Sequence, residues 1–230
     1  MRTALSLSVV FSLVLGSLLV SPPGQAAGGH YEVDDIHIPE AGRCEIESWY
    51  QRTTPSNRLV TVLPTCNPGI NPHQDMELSL GITREMFGRE RASFLEPGVK
   101  LIMRDLIPGD FGWGMALTSV FGDRLPKFQE VYGYIPVSFQ PEDALIINVN
   151  AGWELARRDA NAWRWGIGGD YSWQPNLNLI AEVFGTHRGG TRWQTGVRYE
   201  FGPGLIDFSY SRNAIGSRDD YWTLGLAWAF

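Results

Sequence analysis

The chain has 230 residues and a formal net charge of −6, from 19 Lys and Arg against 25 Asp and Glu. With no basic run, that balance excludes nucleic acid as a partner. Hydrophobic content, at 43%, is ordinary for a soluble protein, whereas 26 Gly and 9 Trp are high; after Val20 no apolar run approaches the ~20 residues of a membrane-spanning helix.

The N-terminus comes first. Met1-Arg2 supplies one positive charge, Ala4 to Val20 is apolar, Ser21-Pro22-Pro23-Gly24 interrupts it, and Gln25-Ala26-Ala27-Gly28 offers small residues for cleavage. This is the layout of a secretory signal peptide, with cleavage expected after Ala26 or Ala27. The expected organisation is a signal peptide over residues 1–27, a polar leader over 28–41 and a β domain over 42–230. The leader carries His30, Asp34, Asp35 and His37, which could ligate a metal. A metal site needs fixed ligands and a second shell, so the expected reading is a flexible tail.

Segments with the two-residue period of a strand follow, separated by turn residues. The first is Gly42 to Arg52, the second Arg58 to Leu63, the third Asp75 to Arg84, the fourth Gly98 to Asp105, the fifth Phe111 to Val120 and the sixth Tyr134 to Phe139. The sixth is short and contains Pro136, which weakens a strand. The second half is cleaner: Leu145 to Leu155, Trp163 to Trp173, Asn176 to Phe184, Arg192 to Phe201, Leu205 to Ser211 and Tyr221 to Phe230. In the last, Trp222, Leu224, Leu226, Trp228 and Phe230 share one face, and Gly225, Ala227 and Ala229 lie on the other. No comparable helical period appears.

The two cysteines, Cys44 and Cys66, flank the turn composition Thr53-Thr54-Pro55-Ser56-Asn57. Folding there sets Cys44 opposite Cys66, Ile46 opposite Pro64, Ser48 opposite Val62 and Tyr50 opposite Val60. A disulfide is expected in an exported chain.

Twelve strands, large apolar side chains on one face and Gly, Asn, Ser and single charges on the other describe an antiparallel up-and-down transmembrane β-barrel with lipid outside and water inside. Turns after even strands are mostly short, as at Gly202-Pro203-Gly204, and those after odd strands mostly longer, including Phe87 to Pro97 and Gly122 to Tyr132. This matches short periplasmic turns and longer outer loops. Trp49, Tyr50, Trp153, Trp163, Trp193 and Trp222 fall at the expected outer ends. Trp113, Trp173, Phe201, Trp228 and Phe230 fall at the periplasmic ends. Two aromatic belts are what interfacial anchoring requires.

Gly42-Arg43-Cys44-Glu45-Ile46-Glu47-Ser48-Trp49, the strand end Ala181-Glu182-Val183-Phe184-Gly185, Thr195-Gly196-Val197-Arg198-Tyr199 and the terminal aromatic resemble the outer-membrane barrels grouped under the meta-pathway of phenol degradation. The resemblance covers most of the mature chain. It implies a channel-like or transporter-like barrel, with aromatic compounds among its solutes, and it carries no catalytic signature.

The inward face is expected to carry Glu45, Glu47, Glu77, Glu154, Asp170, Glu182, Glu200 and Asp207, with Lys100, Arg104, Arg164 and Arg198. Folding at Asp159 sets Glu154 opposite Arg164, and a tight turn at Gly202-Pro203 sets Arg198 opposite Asp207. Such pairs brace the wall and bias permeation. The acid excess points to mild cation preference, and the many inward glycines to spare room.

A barrel enzyme acting on membrane lipid is the rival reading. It needs Ser, His and an acid or amide together. His30 and His37 fall in the leader, His73 in a turn and His187, with Ser217, in outer loops, so no catalytic set is expected. A closed structural or receptor barrel is a further alternative, against which the short loops argue. The function expected is a narrow outer-membrane channel for small solutes in a Gram-negative bacterium, with no cofactor and no metal. Its expected partners are outer-membrane lipid, small solutes, and the barrel-assembly machinery through the C-terminal strand.

Overall fold

A computed structural model describes residues 30–54, 56–70, 75–123, 127–157, 160–214 and 220–230. The expected signal peptide and cleavage site, His73 and Ser217 lie outside these residues. Alternation drives the architecture. With large apolar side chains at every second position, a strand buries its polar face only by pairing into a sheet that closes on itself. Twelve strands do this: β1 (Cys44–Thr54), β2 (Asn57–Cys66), β3 (Met76–Phe87), β4 (Glu90–Arg104), β5 (Phe111–Gly122), β6 (Phe128–Glu142), β7 (Leu145–Ala156), β8 (Ala162–Gln174), β9 (Leu177–Thr186), β10 (Thr191–Phe201), β11 (Gly204–Asn213) and β12 (Tyr221–Ala229). Each pairs antiparallel with its sequence neighbours, and β1 pairs with β12 to close the barrel. At the seam Cys44 N donates to Phe230 O at 3.0 Å and Phe230 N to Cys44 O at 2.8 Å. The two chain ends therefore meet at one rim, called here the terminal rim; the other is the distal rim.

The molecule is inside out relative to a soluble sandwich. Ile82 is 51% exposed and Leu226 50%, whereas Gln194, Ser209 and Thr223 are 0% exposed. The expected β1–β2 register is found, and Cys44 and Cys66 form a disulfide with Cα atoms 4.1 Å apart.

Three departures have clear causes. First, β4 and β6 are much longer than their alternation suggests, so the expected loop Phe87 to Pro97 is mostly strand, turning at residues 88–89. The added part of β4, Glu90-Arg91-Ala92-Ser93, has no apolar face because it continues the wall beyond the apolar band. Pro97 and Pro136 each keep one ladder, with Leu80 and Asn150. Each interrupts the other: the β4–β5 register skips from Leu95 to Gly98, and the β5–β6 register from Val137 to Tyr134. A proline has no N–H to donate.

Second, Arg104 is not an inward residue. The β4–β5 register shifts between Ile102 and Arg104, so that Arg104 pairs with the outward Trp113. A bulge of this kind changes side-chain parity. At the terminal rim Arg104 pairs with Asp110 and lies 4.2 Å over the Phe111 ring. Third, Trp49 cannot belong to the outer belt, since it shares strand parity with buried Glu45 and Glu47 and stands opposite Gly225 and buried Thr61.

Candidate functional site

Most of the charged residues expected to face inward line the interior, and the leader occupies it. Residues 30–41 enter at the terminal rim, cross the lumen and end against β10–β12 without forming helix or strand. The flexible-tail expectation is corrected for these residues: Val33 and Ile36 are buried, and each turn of the segment meets a specific partner on the wall.

From the rim inward, Asn67 donates from Nδ2 to the Pro39 carbonyl at 2.9 Å. Ser138 Oγ accepts from the Ile36 N–H at 3.2 Å. Lys100 Nζ donates to Asp34 Oδ1 at 3.1 Å, to Asp34 Oδ2 at 3.2 Å and to the Asp35 carbonyl at 3.2 Å. Tyr134 Oη donates to Asp34 Oδ2 at 2.7 Å. Burial holds the Asp34 carboxyl above its ordinary range, and Lys100 only partly opposes this. The Glu182 carboxylate accepts the main-chain N–H of Glu32 and of Val33, each at 3.0 Å. Arg164 holds Glu32 Oε2 at 3.2 Å.

Glycines make the sockets. A Cβ added to Gly112 would lie 2.2 Å from Ile36 Cδ1, one on Gly166 2.7 Å from Val33 Cγ2, and one on Gly196 2.3 Å from Tyr31 Oη. On Gly225 it would lie 2.1 Å from Asp207 Oδ1 and 3.0 Å from His30 Nδ1. Several of the inward glycines expected to leave spare room, Gly112, Gly166, Gly168, Gly196 and Gly225, are where the leader seats.

The leader's innermost end has a familiar arrangement. His30 Nδ1 lies 2.8 Å from Asp207 Oδ1, and His30 Nε2 contacts Ser209 Oγ. Ser, His and Asp are thus neighbours, but His30 Nδ1 and Asp207 Oδ1 make no hydrogen bond despite their distance, so the orientation a nucleophile relay requires is missing. Asp207 and Ser209 sit two apart on β11, both facing inward. Ser209, however, is 0% exposed and also receives the Gln194 amide at 3.1 Å. The space an acyl group would need is filled by protein, so the cluster fastens the leader.

The other inward charges stand as follows. Arg198 lies 3.6 Å from Asp170 Oδ2 and 3.9 Å from Asp207 Oδ2, with its guanidinium 5.5 Å from the Tyr31 ring. Arg164 pairs in register with Gly152 rather than Glu154; it reaches Glu154 diagonally, at 3.5 Å. Glu200 accepts from Asn178 at 3.2 Å. Glu77 lies near Lys100, and Glu45 and Glu47 are buried on β1.

Below the leader, at the terminal rim, a cavity of about 470 Å³ opens. Its roof is Asp35, Ile36, His37 and Ile38. Asp75, Asp105, Asp143, Asp170 and Glu200 outnumber Arg198 on its wall. Outside, Trp153 and Trp163 face each other in register near the distal rim, both about half exposed. Tyr50 and Trp222 rings lie 5.5 Å apart there, and Trp193 and Tyr210 rings 5.8 Å. Trp113 and Trp173 point outward near the terminal rim, where Trp228 lies 6.3 Å from Phe201 and exposed Phe230 ends the seam with Cys44.

Sequence reasoning missed Tyr31, Glu32, Val33 and Ile36 as site residues, along with Ser138, Asn150, Gln194 and Ser209 on the wall. A signal existed: three aliphatic residues, Val33, Ile36 and Ile38, stand in a leader otherwise rich in charge.

The profile of the family described as "Uncharacterised conserved protein UCP029691" matches residues 15–230. The chain belongs to that family. No curated protein is significantly similar to it. Among solved structures, the COG4313 outer membrane channel from Pseudomonas putida F1 superimposes with a TM-score of 0.71 at 9% identity, over 90% of this chain and 100% of that one. The KdgM porin, solved in complex with disordered oligogalacturonate, gives 0.66 at 9%, over 81% and 99%. The NanC porin gives 0.56 at 10%, over 80% and 98%. At such identities the likeness is one of fold: the closed antiparallel up-and-down barrel that this chain shares with those channels and porins.

Proposed function

We propose that this protein is an outer-membrane channel for small solutes in a Gram-negative bacterium, held closed by residues 30–41. The carrying observation is a closed barrel with apolar side chains outside, charged ones inside, and its own N-terminal segment seated across the lumen. The porin-type fold supports the channel reading, and the two sets of outward aromatic residues support a bilayer between them. On this reading the terminal rim faces the periplasm, and β12, ending on Phe230, is the strand offered to the barrel-assembly machinery. No cofactor or metal enters the account: His30 and Asp34 are spent on different wall partners.

The acidic cavity favours cations at the periplasmic mouth, because rings of carboxylates concentrate counter-charge. Aromatic solutes are the class suggested by the resemblance to the phenol meta-pathway barrels. The Tyr132 and Tyr134 rings, stacked 6.0 Å apart, give such solutes an inward stacking surface. Planar-bilayer recording tests the reading. The full chain should show low conductance with rare openings, and a chain lacking residues 28–41 should show larger, mildly cation-selective steps. No conductance from either protein would end the channel reading, and anion preference would end the selectivity argument.

A further inference from the structure

The wall takes the leader's main chain as fully as its side chains. Glu182 takes two successive main-chain N–H groups, from Glu32 and Val33. Asn150, in the amide orientation that satisfies both its groups, accepts the Asp34 N–H at 2.7 Å and donates to the Asp34 carbonyl at 2.8 Å. Lys100 reaches the Asp35 carbonyl, Ser138 the Ile36 N–H and Asn67 the Pro39 carbonyl. Five side chains on five different parts of the wall therefore read a main chain from residue 32 to residue 39. Buried main-chain groups need partners whatever side chains they carry. A wall that supplies them from its own side chains accepts a polypeptide without requiring a strand edge.

Side-chain selection is confined to a few points. Val33 rests on the bare backbone of Gly166 and Gly168, and Ile36 on Gly112. Between them the Asp34 carboxylate takes Lys100 and Tyr134. With Glu32 held by Arg164, the pattern read is an acid, an aliphatic residue, a second acid, any residue, and a second aliphatic residue.

We propose that the lumen wall is a binding site for a peptide of this pattern, and that residues 32–39 are its tethered resident ligand, which a matching segment of another polypeptide displaces. This deepens the channel reading by naming peptide as a ligand class of the same lumen. Tethering alone supplies a high effective concentration, so the segment stays seated although each contact is modest and a free peptide has to compete with it.

The test cuts the tether after folding. A protease recognition sequence is inserted between Glu40 and Ala41, both exposed, in the full chain. A second placement, between Gly42 and Arg43, serves if the first hinders folding, as scored by heat-dependent gel mobility. After cutting, a labelled synthetic peptide of residues 28–40 should exchange into the barrel saturably, followed by fluorescence anisotropy. Replacing Asp34 by Ala should weaken it at least tenfold, and replacing Asp35 and His37 by Ala less than threefold. Absence of saturable binding, or equal binding by a scrambled peptide of the same composition, overturns the proposal. Bilayer recording on the cut protein separates the two ideas. Conductance without peptide rebinding leaves the channel and removes the site; rebinding without conductance leaves the site and removes the channel.

Discussion

Lys100 is the side chain on which the docked leader most depends. Its ammonium touches both oxygens of Asp34 and the Asp35 carbonyl, and Glu77 lies in the same neighbourhood. In Lys100→Met, the Asp34 carboxylate, the Asp35 carbonyl and Glu77 lose the cation they share, and the Asp34 carboxylate retains only the Tyr134 hydroxyl. Breaking a fully buried pair costs about 3–5 kcal/mol and an exposed one under about 1. The Lys100 side chain is 7% exposed and that of Asp34 24%, so an intermediate cost of about 2–3 kcal/mol is appropriate. Glu77 loses its wall partner whether the leader is docked or not, so what separates the two states is the Asp34 contact and the cost falls on docking. At 1.4 kcal/mol per tenfold, the undocked population rises about 30- to 150-fold. A Glu-specific protease reads it at Glu32, whose main-chain N–H is held by Glu182 in the docked state. When redocking outpaces cleavage, the rate follows the undocked fraction. The variant should be cut at Glu32 faster by that factor while its barrel keeps its heat-dependent gel mobility. A change under about threefold with the barrel intact would refute the assignment of Lys100 as the leader's anchor.

Other expectations follow from the same contacts. Gly166→Ala places a Cβ 2.7 Å from Val33 Cγ2, with the nearest wall atom, Phe184 Cβ, at 3.3 Å, and overpacking of this kind costs about 1–3 kcal/mol; leader cleavage should rise about 5- to 150-fold, measured in the same way. Ile167→Arg places a charge on the outward face, where Ile167 is 48% exposed. It should destabilise the barrel by about 2–4 kcal/mol if that position lies at the bilayer midplane, read from urea titration in lipid vesicles. Replacing Cys44 and Cys66 by Ser should remove the mobility difference between reduced and non-reduced gels and lower stability by about 3 kcal/mol, the loop closed being 22 residues in sequence separation. Ester hydrolysis dependent on Ser209 should be undetectable with short-chain ester substrates, because the hydroxyl is sealed.

The barrel was legible because lipid imposes a rule that is local in sequence: every second residue must be apolar. Tyr221 to Phe230 states it in ten residues, and the pairing of Cys44 with Cys66 follows from counting outward from one turn. The rule fails where lipid ends. Glu90 to Ser93 and Phe128 to Gly133 continue β4 and β6 without an apolar face, so they looked like loops. It also fails at a bulge, which turned Arg104 to the rim. Trp49 fell to a competition between two signals: its residue type suggests a belt, but its position two residues beyond Glu47 decides its face. The seat of the leader was illegible for a different reason. Gly112, Gly166, Gly196 and Gly225 look alike in sequence whether they border water or a docked side chain. Which of the two holds depends on strands brought together by closure of the barrel.

The central claim is that the N-terminal segment lies inside the barrel, and a crosslink tests it directly. A Cβ on Gly168 would lie 3.4 Å from the Val33 Cβ, close to the ~3.8 Å typical of a disulfide. In the folded Val33→Cys, Gly168→Cys double variant, mild oxidation followed by peptide mass spectrometry should find residues 33 and 168 joined. Recovery of both thiols fully alkylated, from protein whose barrel is intact, would place the segment outside the lumen and contradict the account.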